Sequence, residues 1–137
     1  MSREAIADGA PPHCTIRGTP GVDVLVGTSG SDVICGLGGR DRIRGRGGLD
    51  VITGGGGSDI IDAGRGADIV FAGYGDDRVL GKAGRDVLTA GPGTDTVRGG
   101  RGFDQLDGGG GEDACFLGPP EPGHGTAVPP WGEERCP

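Results

Sequence analysis

The sequence is poor in the residues that ordinary domains use to build a core. Of its 137 residues one is Trp, one Tyr and three Phe, and Leu, Ile, Val and Phe together number 28, about 20%. A charged chain at that level sits at the border of what can fold unaided, so a thick hydrophobic core is excluded. No apolar run approaches the roughly 18 residues that span a bilayer as a helix, and no membrane insertion is expected. His13 and His124 stand alone, and neither an H-E-x-x-H nor a G-x-S-x-G spacing occurs, which removes the familiar protease and lipase readings. The glycine runs before Ser58 and Glu112 are not followed by Lys-Ser or Lys-Thr, so they are not phosphate loops. No enzyme is expected. Acids outnumber bases 20 to 13, a net charge of −7, and nucleic acid is not an expected partner.

What the chain has instead is 34 Gly and 10 Pro, which rules out a helical domain. Fifteen of its twenty acids are Asp, the shorter carboxylate that favours turns and hard-cation sites over helix surfaces. From Gly18 to Phe116 the sequence divides into eleven uninterrupted nonapeptides, beginning GTPGVDVLV and GTSGSDVIC and ending GGGGEDACF. The first position is Gly or Ala, the fourth is always Gly, and the sixth is always Asp: Asp23, Asp32, Asp41, Asp50, Asp59, Asp68, Asp77, Asp86, Asp95, Asp104 and Asp113. The eighth is aliphatic in ten units, with Cys115 in the last. A flexible Gly-rich linker has no reason to hold Gly, Asp and an aliphatic in register for so long.

Each unit reads as a six-residue turn, where Gly supplies positive φ, followed by a three-residue strand rich in β-branched residues. In such a strand the middle side chain faces inward and its neighbours outward. Two units complete one turn of a flattened right-handed coil, so alternate units stack as parallel strands about 4.8 Å apart. One row is then Leu25, Ile43, Ile61, Val79, Val97 and Cys115. Taking Thr15–Arg17 as a degenerate strand, the other row is Ile16, Ile34, Ile52, Val70, Leu88 and Leu106. The expected architecture is an all-β, right-handed parallel β-roll of about six 18-residue turns. Residues 1–17 form a leader and cap, 18–116 the roll, and 117–137 a Pro/Gly-rich cap whose Trp131 covers the open end.

These units resemble the G-G-x-G-x-D-x-U-x nonapeptide of RTX, or haemolysin-type, calcium-binding proteins. The resemblance implies that calcium ions lie between stacked turns, each held by the sixth-position carboxylates of units two apart and by turn carbonyls. On this sequence the pairs run Asp23–Asp41 through Asp95–Asp113 on one side and Asp32–Asp50 through Asp86–Asp104 on the other, at most about nine ions. The carbonyls implied are those of turn residues such as Gly36, Gly38, Gly39, Gly54, Gly55, Gly56, Gly57, Gly64, Gly66, Gly73, Gly75, Gly91, Gly93, Gly100 and Gly102. The donor chemistry agrees, because calcium takes six to eight oxygens whereas softer metals want Cys or His. Without the eleven repeat aspartates the chain is formally +4, so its acidity lies in two ladders whose self-repulsion should couple folding to metal. The departures matter. Thr19, Thr28, Leu37, Arg46 and Lys82 replace Gly at the second position, and their turns should be strained and bind less well. The end aspartates Asp23, Asp32, Asp104 and Asp113 lack a stacking partner on one side.

Four cysteines allow three pairings. The matched 21-residue separations favour Cys14–Cys35 and Cys115–Cys136, each locking a cap. Bridges imply an oxidising, extracellular setting. Residues 1–12 hold no apolar run of the signal-peptide kind, so either export uses another route or the start is truncated. The cluster Arg40, Arg42, Arg44 and Arg46 reads as a solvated outer face, and Ser29, Ser31 and Ser58 as turn residues. Two other roles are open to such a chain: an accessory or adhesion module of a larger extracellular enzyme or surface protein, and ice binding, which the irregular outward positions do not support. A monomer is expected, with any cell-surface or parent-protein partner unspecified.

Overall fold

A computed structural model describes residues 14–116 and Gly118. It contains twelve short strands and no helix among these residues: β1 (Ile16–Arg17), β2 (Val24–Val26), β3 (Val33–Cys35), β4 (Arg42–Arg44), β5 (Val51–Gly55), β6 (Ile60–Asp62), β7 (Ile69–Gly73), β8 (Arg78–Leu80), β9 (Val87–Thr89), β10 (Thr96–Arg98), β11 (Gln105–Asp107) and β12 (Ala114–Phe116). Odd-numbered strands form one six-stranded parallel sheet and even-numbered strands the other. Each strand pairs with the one two units on, as in Ile34↔Ile52 and Ile43↔Ile61, so the chain climbs one rung every 18 residues. This is the β-solenoid of about six turns that the nine-residue period implies.

Both aliphatic rows are in place. Ile34, Ile43, Ile52, Ile61, Val70, Val79, Leu88 and Val97 are buried between the sheets, with Cys115 at one end and Ile16, Leu25 and Leu106 partly buried at the margins. The core is one side chain deep per sheet, as so small an apolar fraction requires. Ile16 pairs with Ile34, so the degenerate unit before the first full repeat contributes the expected strand. Thr15 extends it by donating its N–H to the Val33 carbonyl at 2.7 Å.

Three features depart from a uniform repeat. First, β5 and β7 run for five residues rather than three, because their ladder pairing continues past Thr53 and Phe71 to Gly55 and Gly73, which pair although both have positive φ. Second, Leu37, Arg46 and Lys82 adopt φ of 78°, 80° and 79°, in the left-handed region that the glycines of other units occupy at the same position. The expected strain at these three residues is therefore present. Third, Thr19 and Thr28 are absent from the positive-φ residues, as are the fourth-position glycines of their units, Gly21 and Gly30. In these two turns the Thr hydroxyl accepts the N–H of Gly21 or Gly30 at 3.1 Å, so side-chain turn chemistry replaces the glycine conformation and the expected strain does not arise.

Cys14 and Cys35 form a disulfide with Cα atoms 5.9 Å apart, tying the segment entering β1 to the end of β3. No described cysteine is free. The expected partner of Cys115, Cys136, lies outside the described residues, as do His13, His124 and Trp131.

Candidate metal centre

Every repeat aspartate sits between its glycine turn and its strand, and the turns stack so that equivalent aspartates follow one another along the solenoid. The link between rungs is the same nine times. The backbone N–H of each of Asp23 through Asp95 donates to Oδ1 of the aspartate 18 residues later, at 2.7 to 3.0 Å. Two ladders result. Asp23, Asp41, Asp59, Asp77, Asp95 and Asp113 line one edge, and Asp32, Asp50, Asp68, Asp86 and Asp104 the other. Aspartates 18 residues apart are therefore neighbours along each edge.

The second carboxylate oxygen carries the chemical information. Oδ2 of Asp41, Asp50, Asp59, Asp68, Asp77, Asp86, Asp95 and Asp104 is buried and has no hydrogen-bond partner. A buried carboxylate oxygen left unpaired is costly, and eight in two rows are not a chance lapse of packing. For Asp41, Asp50, Asp59 and Asp86 the surroundings of this oxygen are themselves oxygen-rich. The point where a Cβ would stand on Gly36, Gly45, Gly54 or Gly81 lies 2.6 to 2.7 Å from the Oδ2 of the same unit and 2.5 to 2.6 Å from a backbone carbonyl of the next rung. Carboxylate and carbonyl oxygens converging at such spacing form a donor set for a hard cation. The first position is Gly in these units and carries a methyl at Ala63, Ala72 and Ala90.

Electrostatics agree with this reading. Burial lifts every one of these eight carboxyls above the ordinary carboxylate range, and in the inner rungs it does so far enough to reach neutrality. Asp59 and Asp68 rise to about 6, and Asp77 and Asp86 to about 7. The backbone N–H from the rung before lowers each, and the charge of an adjacent aspartate raises it further. Asp41, Asp50 and Asp95 are raised for the same reasons, and Asp104 by burial against its backbone hydrogen bond. As anions these groups are held in a place that disfavours anions. The repeat residues therefore fit a divalent cation between each pair of rungs.

The first rung is different. Asp23 Oδ2 accepts the Thr19 N–H at 2.7 Å and Asp32 Oδ2 accepts the Thr28 N–H at 2.7 Å, with both Thr hydroxyls adding contacts near 3.1 Å. These two carboxylates are satisfied by protein, and the sequence marked them only as end members. No three His, Cys, Asp or Glu side chains converge among the described residues, as expected where carbonyls supply the remaining oxygens.

The turn glycines at the second and fourth positions are needed for close stacking. Gly57, Gly66, Gly75, Gly84 and Gly93 have φ between 98° and 131°, and a Cβ on any of them would run into a carbonyl oxygen of the rung before. Stacked turns at this separation are what bring neighbouring carboxylates within reach of a shared ion.

Comparison with protein families gives matches to the RTX calcium-binding nonapeptide repeat (4 copies) over residues 17–52, 36–70, 53–88, 71–106 and 89–119. Comparisons with curated proteins and with solved structures return no match. The matched segments run continuously through the solenoid and its aspartate ladders, and by that repeat the chain belongs to the RTX calcium-binding family.

Proposed function

We propose that this chain is an extracellular calcium-responsive β-roll in which the ladder aspartates are the ligands and ion binding drives folding. The observation that carries this is the set of eight buried, unpartnered Oδ2 atoms. Calcium supplies positive charge and accepts several oxygens at once, which is what those atoms lack. Each inner carboxylate faces two inter-rung spaces, so the sites share ligands and are coupled. Asp41, Asp50, Asp59, Asp68, Asp77, Asp86 and Asp95 form the inner set, and Asp104 ends its ladder. Asp23, Asp32 and Asp113 complete the outermost sites, and the Thr-capped Asp23 and Asp32 yield theirs last. The count is at most about nine ions.

Without cations, the energy lost in burying two rows of like charges offsets the thin aliphatic core, and the chain stays largely unfolded or molten. Sites in extracellular modules bind in the range of about 10⁻⁴ to 10⁻³ M, so low intracellular calcium leaves the chain unfolded and extracellular calcium folds it. The Cys14–Cys35 bridge supports an oxidising setting. The test is far-UV circular dichroism during a titration from chelator to about 10 mM calcium, with magnesium as control. A cooperative, calcium-selective rise of β signal is expected. A full β signal in chelator, indifferent to calcium, would refute the coupling.

A further inference from the structure

The two edges of the solenoid differ in charge. On the edge carrying Asp32, Asp50, Asp68, Asp86 and Asp104, the second or third turn position holds a cation in four successive rungs: Arg46, Arg65, Lys82 and Arg101. At the same positions on the opposite edge, from Thr19 and Pro20 to Gly109 and Gly110, there is none. The four are exposed and stacked in register: the Arg46 carbonyl accepts the Arg65 N–H at 2.6 Å, the Lys82 carbonyl accepts the Arg101 N–H at 2.7 Å, and Arg65, Ala83 and Arg101 bridge in parallel. With Arg44 they line an open groove of about 780 Å³ whose one acid is Asp62, paired to Lys82 at 3.4 Å. Two of these cations, Arg46 and Lys82, occupy left-handed backbone where glycine would be unstrained.

We propose that this groove binds a linear acidic polysaccharide, laid along the solenoid axis with one anionic group answering the cation of each rung. The repeat distance favours this ligand. Cations recur once per rung, about every 4.8 Å, close to the advance of one pyranose in an extended chain. Single-stranded nucleic acid is disfavoured because no aromatic side chain lines the groove to stack a base. The calcium dependence of binding, though not the groove itself, rests on the calcium reading above: nine divalent ions turn the formal net charge from −7 to about +11, replacing long-range repulsion of a polyanion with attraction.

The experiment is calorimetric titration of the full chain, folded in calcium as verified by circular dichroism, with chondroitin sulfate octasaccharide. Arg46→Gly with Lys82→Gly removes two contacts and relieves backbone strain, so this double variant should fold at least as well and bind roughly tenfold or more weakly, with a shallower salt dependence. Asp62→Asn, which removes the lone acid, should bind more tightly. Arg40→Gln, on the opposite edge, should bind as the parent does. Neutral dextran should not bind. Equal affinity of the double variant and the parent overturns the proposal, as does tighter, equally variant-sensitive binding of a single-stranded oligonucleotide or of phosphatidylglycerol vesicles. If the β signal proves indifferent to calcium, the same titration of the folded chain in chelator still tests the groove, so the two readings fail separately.

Discussion

Asp68→Asn should change stability in opposite directions with and without calcium. Asp68 is a central rung: Oδ1 accepts the Asp50 N–H at 2.8 Å, its own N–H donates to Asp86 at 2.9 Å, and its Oδ2 is buried without a partner. Asn keeps the Oδ1 acceptor and hence the link between rungs. It replaces the orphaned anionic oxygen with a neutral amide nitrogen. In the calcium-free fold Asp68 titrates near 6 instead of 3.8, so ionising it at pH 8 costs about 3 kcal/mol, which the neutral amide avoids. The apo β-roll should gain stability by up to that amount. With calcium the proposed ligand set reverses the balance, because it shares Asp68 between the sites formed with Asp50 and Asp86. Losing a charged ligand should weaken each site by roughly tenfold or more. Urea unfolding followed by circular dichroism at pH 8, in chelator and in 10 mM calcium, reads both arms. Destabilisation of similar size in both conditions would show that the carboxylate acts only as a turn former and would refute the reasoning.

Further outcomes follow from the same geometry. In metal-free solution the raised carboxyls hold protons in the fold that the unfolded chain has released. Their contribution is therefore fully present below pH 3.8 and lost as pH rises through about 6 to 7. A calcium-stripped sample should show more β signal at pH 5 than at pH 8, and calcium uptake at pH 7 should release protons measurable in buffers of different ionisation enthalpy. Gly75→Ala, at φ 114° and against the Gly57 carbonyl, should lower calcium-loaded stability by about 2 kcal/mol or more in urea unfolding. Ile52→Ala opens a cavity in the one-side-chain-deep core and should cost about 2 to 5 kcal/mol in the same assay. Thr28→Gly should free Asp32 from its cap and raise the number of ions bound at low calcium, counted by equilibrium dialysis.

Much of the fold was legible because a nine-residue period leaves little freedom. Once Ile34 and Ile52 are assigned inward, their register, the two sheets and the climb per rung follow, and so does the inward Ile16 of the degenerate first strand. The stacking of aspartates 18 residues apart was legible for the same reason. What the period hid lies in the variable positions. Thr19 and Thr28 read as weak substitutes for glycine, yet they build a different turn and satisfy Asp23 and Asp32, which depends on hydroxyl geometry that a one-letter pattern does not carry. The basic run from Arg40 to Arg46 read as one local patch. Folding disperses it: Arg40 goes to one edge, Arg42 and Arg44 to the outer face of β4, and Arg46 to the opposite edge. There Arg46 joins Arg65, Lys82 and Arg101, which come from three other rungs and alternate between second and third positions, so no single-position periodicity reveals them.

The bridge between Cys14 and Cys35 also bears on how the solenoid grows. It holds β1 against β3 before any other rung exists, which removes the chain entropy of closing that loop, about 3 kcal/mol on a polymer estimate. In a stack where each repeat touches only its neighbours, the slow step is laying the first layer, and later layers add onto a template. The aspartate bonds give this template a direction, since every rung presents a donor N–H to the carboxylate of the rung that follows. Assembly primed at this end would advance toward the C-terminus, each arriving turn bringing the acceptor for a donor already in place. Reducing the bridge should lengthen the lag before calcium-triggered growth while leaving the rate of propagation unchanged.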